Sequence, residues 1–301
     1  IPASHCGLFG LKPSRGLVPM GPKLLEGWLG LSAQHVVSRS VRDSALLLQL
    51  TQGPEAGSRT GPQPVALMDA MARPPGRLRI ALMEVNPFGE PLHPDCLDAA
   101  RAAARLCESL GHNVEIAMPQ LAIGDMFTSM GVATAVGMLA TVSTREKELG
   151  RAAREDEFEP LNWRSLQLAR SYSAEQVFIA RNVFDQAARV LDLFLGKYDL
   201  ILSPVTATPA PLLGAMSLDQ PYEDFVKVAM TGPPFTAMFN MSGHPAMSVP
   251  LHWNAAGMPI GVQFAAPFGD EATLLALATQ LEQAAPWKDK RPVLQGSLRP
   301  F

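Results

Sequence analysis

The chain has 301 residues, 47% of them hydrophobic and 18% charged, with a formal net charge of −3. Such a length and apolar content can bury a large core. The weak negative charge argues against nucleic-acid or anionic-membrane binding, and no uninterrupted apolar run approaches the roughly 20 residues that span a bilayer. Cys6, Cys96 and Cys107 lack metal-ligand spacing and read as reduced thiols of a cytosolic protein.

In chain order, Ser40-Val-Arg-Asp43 caps a helix that runs through Leu50 and closes at Gly53. Residues 54–76, rich in Gly and Pro, predict a surface loop, and Gly76–Met83 alternates as a strand. His93-Pro-Asp95 opens a helix with Leu97, Ala100, Ala104 and Cys107 on one face and Gly111 at its end. A strand follows over His112–Met118, completing a βαβ unit, so part of the sheet should be parallel. Residues Leu121–Gly196 predict mostly helix; Met126–Ser143 within them is almost uncharged and rich in small residues. Lys197–Pro204 reads as a buried strand. Ala246–Trp253 and Ile260–Pro267 are two more, joined by the turn Asn254–Pro259. Asp270–Ala285 is a helix with a stripe of Leu274, Ala278, Leu281 and Ala285, and Pro286 onward reads as a surface tail. With no repeat and no linker, the expectation is a single domain over 1–301. Its class is α/β, a mixed sheet with a mostly parallel core and helices on both faces.

Several constellations invite chemistry and have a structural reading beside them. Lys12 and Ser14 share a face of an extended segment, as a Ser-Lys dyad would, but read as scaffold. His5-Cys6 suggests an activated thiol, yet neighbours in a strand point apart, so a packed Cys6 is expected. His93, Asp95 and Cys96 have loose metal spacing, and the helix start accounts for Asp95 as a cap or first-turn acid. Arg39, Arg42 and Asp43 predict local ion pairs, Arg154–Glu159 a solvated face, and His244 and His252 structural roles flanking a strand.

The opening "PASHCGLFGLKPSRG" resembles the closing half of the amidase signature, in which Gly-Gly-Ser-x-Arg-x-Pro leads into Gly-x-x-Gly-Leu-Lys-Pro-Ser/Thr-x-Gly. "SRSVRDSALLLQLTQG", "YDLILSPVTATPAP" and the stretch from Phe235 to Trp287 are similar to later parts of the same family, in the same order. "GLSAQHVVSRS" departs from the Gly-Pro-Met-like stretch many relatives carry there. The resemblance implies hydrolysis of a carboxylic amide, a small molecule, through a Ser/cis-Ser/Lys acyl-enzyme without cofactor. By the motif's spacing the nucleophilic Ser would stand about three residues before Ile1, with the cis-Ser, the Lys and the oxyanion donors further upstream. No catalytic residue is therefore expected among those given, and the chain alone is expected to be inactive. The "HPDC" and C-terminal segments look closest to bacterial amidases of cyclic and aliphatic amides. Met126, Met130, Phe235, Thr236 and Asn240 are the substrate-facing residues this resemblance suggests, since small residues and Met make an adaptable apolar wall. The competing readings are the signature-bearing component of an amidotransferase and a non-catalytic ligand- or partner-binding module. Strands left uncovered predict self-association, with a homo-oligomer among the outcomes.

Overall fold

The computed structural model describes residues 1–22, 24, 26–57 and 61–292. Its centre is one mixed sheet of seven strands: β1 (Phe9–Lys12), β2 (Val37–Ser38), β3 (Arg79–Leu82), β4 (Asn113–Ile116), β5 (Leu200–Pro204), β6 (Ala246–Trp253) and β7 (Pro259–Ala265), in the spatial order β2-β1-β6-β7-β5-β3-β4. The parallel pairs are β3 with β4 and β3 with β5; the rest of the sheet is antiparallel. The parallel part is the expected βαβ unit, whose crossover is α4 (Pro94–Ser109). The antiparallel part contains the hairpin β6–β7. Its turn is tied by Asn254, whose Oδ1 accepts from the Ala256 and Met258 backbone N–H groups.

Alternation along the strands divides the core in two. Leu200 and Leu202 of β5 join one cluster with Phe9, Leu11, Ile80, Val262 and Phe264, while Ile201 joins the other. The first cluster is covered by α2 (Val41–Thr51), α3 (Leu67–Met71), α4 and α10 (Glu271–Ala284). The second is covered by α5 (Ile123–Leu149), α7 (Ala174–Leu195) and α9 (Ala237–Ser242). Helix α6 (Pro160–Ser171) packs on α5, and α8 (Tyr222–Ala229) follows β5. Each fully buried Leu, Ile or Phe contributes about 1.5–3 kcal/mol. The fully buried Phe9, Phe184, Phe239 and Phe264 anchor the two layers.

The predicted elements have structural counterparts, with boundaries shifted by a few residues, and several expectations are corrected. Loop 54–76 contains α3, because Leu67 is buried against α2 and α10. The buried face of α4 is Cys96, Ala99, Ala100, Ala103, Ala104 and Cys107; Leu97 lies at its margin, since the inward stripe is broader and turned by one residue. The chain's first residues form α1 (Pro2–Cys6), not a strand, and Cys6 is exposed. No ion pair joins Arg39, Arg42 and Asp43 among the described residues. Instead Ser40 Oγ caps α2 by accepting from Asp43 N, and Arg39 O accepts from Trp287 Nε1. Trp287 is buried, so the surface tail is pinned there; the remainder from 293 on lies outside the described residues. His252 sits within β6, not beside it. Helix α5 has the length and composition of a membrane span, with a mean hydropathy of 1.4 over its most apolar 18-residue window. Reading for uninterrupted apolar runs passes over it, because Gly, Ser and Thr punctuate the helix. In this fold it packs on α6 and α7.

Candidate active-site cavity

A cavity of about 300 Å³ opens where α1, β1, β6 and α9 meet. Position within it begins with α1. Pro2 occupies the first turn, where its missing N–H costs nothing, and Gly7 ends the helix in the left-handed region at φ 64°. The helix lies unusually close to the sheet. A Cβ on Gly10 would stand 2.6 Å from Ala3 Cβ, and one on Gly261 would stand 2.7 Å from Ser4 Cβ. Ser4 is buried and its Oγ accepts from Gly261 N at 2.9 Å, so the contact is hydrogen-bonded as well as close. Ile1 and Pro2 are thereby held in the cavity wall.

The opposite wall is the segment Thr231–Ala246. Thr236 and Asn240 line the cavity. Asn240 Nδ2 donates to Leu31 O at 2.7 Å. Arg15 locks the same corner: its Nε donates to Gly30 O, and its Nη2 donates to Asn240 O and Met241 O. These bonds hold a backbone in which the bulky Trp28 and Leu29 both have positive φ, at 51° and 55°. The other sequence-predicted contacts lie elsewhere. Met126 and Phe235 are 2% and 0% exposed inside the second core cluster, and Met130 packs against that cluster. As apolar side chains they are consumed by the core, which leaves Thr236 and Asn240 as the two the structure brings to the cavity.

The floor is polar in places. Gln263, on β7, is buried; its Nε2 donates to Ser203 Oγ at 3.1 Å and to Phe235 O at 2.9 Å. Ser248 is buried and its Oγ has no partner among the described residues. Lys12 lines the cavity and donates to Pro13 O. Burial pushes its amine down to about 7, against a pull upward from Glu271 and a further push down from Arg15. Ser14 forms no dyad with it: Ser14 Oγ accepts from Gly269 N, and its backbone N–H donates to the buried Glu271. His35, from the segment that departs from many relatives, also lines the cavity. As cavity residues, Lys12, His35, Ser248 and Gln263 escape the sequence reading. A Gln in an apolar strand is a readable signal, because buried polar groups are rare unless they are used.

Other arrangements carry less. His244 bonds Ser242 Oγ and Asp192 Oδ1, both at 3.0 Å, in a triad-like chain. Ser242 and His244 are buried, and neither lines the cavity, so the chain ties α9 to α7. Burial holds the His244 imidazole below its ordinary range despite Asp192. A cleft of about 910 Å³ between Trp28 and α5 is mainly apolar. The hydroxyls of Thr141 and Thr144 there are turned back to helix carbonyls. His93 Nδ1 accepts from Asp95 N as a helix cap, and Cys96 is buried. No group of three or more His, Cys, Asp or Glu with metal-binding geometry occurs among the described residues.

The profile of the amidase family matches residues 1–275, taking in α1, the cavity walls and the whole sheet. The chain belongs to the amidase signature family. It is 34% identical over 317 residues to a 6-aminohexanoate-cyclic-dimer hydrolase of Paenarthrobacter ureafaciens, covering 98% of this chain and 62% of that protein. It is 34% identical over 301 residues to the putative amidase AmiC of Mycobacterium leprae, covering 95% and 60%. Among solved structures, 6-aminohexanoate cyclic dimer hydrolase complexed with substrate superposes with a TM-score of 0.90 at 31% identity, covering 97% of this chain and 63% of that one. A bacterial aryl acylamidase superposes at 0.82 with 20% identity, a likeness of fold. This amidase-signature chain thus spans about three fifths of the length of the relatives it matches.

Proposed function

We propose that this chain forms one side of the substrate cavity of an amidase that hydrolyses small-molecule carboxylic amides, with cyclic and aliphatic amides as the favoured class. The observation that carries this reading is the position of Ile1 and Pro2 in the wall of the cavity. The signature's Gly-Gly-Ser would enter the cavity directly from there. In this reading Ser Oγ attacks the carbonyl carbon and a Lys, through the cis-Ser, takes its proton. The C–N bond breaks with the amine leaving protonated, and water then releases the acid. These catalytic groups precede Ile1. The residues present bind and orient: Thr236 and Asn240 contact the amide, Gln263 and Ser248 set the polar floor, and Met126, Met130 and Phe235 support the wall from the core. The likeness to the cyclic-dimer hydrolases supports the substrate class.

The test compares this chain with the product of the complete reading frame, using hexanamide and the cyclic dimer of 6-aminohexanoate. Turnover is expected from the complete product and none from the chain alone. A reading frame that lacks Gly-Gly-Ser-x-Arg ahead of Ile1, or turnover by the chain alone, would overturn the assignment.

A further inference from the structure

We infer that His35 is a substrate-orienting donor of this cavity, offering its Nδ1–H to the carbonyl oxygen of a bound amide. The inference rests on the cavity's proposed role and adds a residue and a proton position to it. It follows from counting protons. Ser44, on α2, is fully buried, and its Oγ lies 2.9 Å from His35 Nε2. Among the described residues no other acceptor bonds that hydroxyl. A buried hydroxyl that donates to nothing costs about 1–3 kcal/mol, so the Ser44 proton belongs on the line to Nε2. Nε2 can accept it only when it carries no proton of its own, which in a neutral imidazole places the hydrogen on Nδ1. Burial favours that neutral ring, and a hydrogen bond to the Ser44 backbone opposes it in part. Beyond the ring's bonds to Ser44, no hydrogen bond of Nδ1 is found among the described residues.

The rest of the wall explains why a donor there matters. Gln263 Nε2 places its two hydrogens on Phe235 O and Ser203 Oγ, while Asn240 Nδ2 gives one to Leu31 O and Lys12 gives one to Pro13 O, each keeping a further N–H. The buried Ser248 Oγ has no partner among the described residues, and the His35 side-chain bond to Ser44 Oγ runs through Nε2. A ligand with a carbonyl oxygen satisfies a donor that the fold leaves open. An amine of the same length does not.

The experiment measures binding of hexanamide and of hexylamine to the protein by calorimetry, with ¹⁵N NMR of the imidazole nitrogens. In the wild type, the ring is expected as the Nδ1–H tautomer, and hexanamide should shift the Nδ1 resonance. His35→Phe keeps a ring and removes the donor; it should weaken hexanamide at least tenfold and leave hexylamine within twofold. His35→Asn places an N–H near the same position and should recover most of the loss. A wild-type ring protonated at Nε2, or hexanamide bound by a folded His35→Phe within twofold of wild type, overturns the inference while leaving the cavity reading intact. Absence of any hexanamide binding by the wild type, with no perturbation at Thr236 or Asn240, overturns the cavity reading and this inference with it.

Discussion

Lys12 shows how one residue serves scaffold and cavity together. Its position on β1 opposite Phe9 and Leu11 takes its side chain to the cavity face of the sheet, while its neighbours Pro13 and Ser14 are tied to α10 through Glu271 and Gly269. Desolvation brings the amine from the ordinary lysine value of 10.5 to about 7, with Glu271 opposing and Arg15 adding to the shift. The sign of the consequence is fixed by linkage. Between about pH 7 and pH 10.5 the unfolded chain holds the Lys12 proton and the folded chain does not, so stability contributed by this site rises with pH across that window. Below it, both states are protonated and the folded state bears the full cost of a desolvated ammonium. Lys12→Met should therefore raise the melting temperature, with a gain larger near pH 6 than near pH 10. Equal gains at the two pH values, measured by calorimetry, would mean that the amine is solvated in the fold.

At the scale of elements, the feature that builds the site is the seating of α1 on β1 and β7. Two glycines in adjoining parts of the sheet let a five-residue helix approach to contact that any side chain would block. So short a helix has little stability of its own and is held by packing. Gly261→Ala should push Ser4 off its bond to Gly261 N, cost about 1–3 kcal/mol by overpacking, and loosen the wall formed by Ile1 and Pro2. Hydrogen exchange checks it: protection should fall over residues 3–6 and persist in β5, and unchanged protection in α1 would refute the close-approach argument. The same physics governs what was legible in the sequence. Helices α2, α4 and α10 carry caps and apolar stripes, and β5, β6 and β7 are apolar runs with stops, so local chemistry announces them. Short α1, α3, α9, β1 and β2 exist because of partners remote in sequence, and no local signal encodes a partner. In the site, Thr236 and Asn240 came from the likeness of Thr231–Ala246 to a family segment, and both line the cavity. Met126 and Phe235 were misleading, since an apolar side chain reads the same on a cavity wall and in a core.

Among the described residues the sheet runs between two edge strands, β2 and β4, that differ in character. At β4, Glu115 bonds the Tyr198 hydroxyl, and Arg77 donates to Asn113 Oδ1, so charged and polar side chains crowd the edge despite Ile116, which is 69% exposed. At β2, the exposed side chains are Val36 and Val37, the latter 52% exposed, with the exposed Leu47 and Leu50 on the adjoining α2. The exposed Arg39 follows directly after β2, so charge stands at its end and not between the valines. An edge with free backbone groups and apolar side chains is a template for pairing, whereas charge beside an edge discourages it. The molecule should therefore self-associate as its concentration rises, and through β2 more than β4. Val37→Lys introduces a charge at that edge without touching the buried clusters, and should shift sedimentation velocity profiles toward the monomer. Ile116→Lys should leave the association unchanged. A wild-type chain that stays monomeric at high concentration would remove the premise, and association undiminished by Val37→Lys would place the contact elsewhere on the surface.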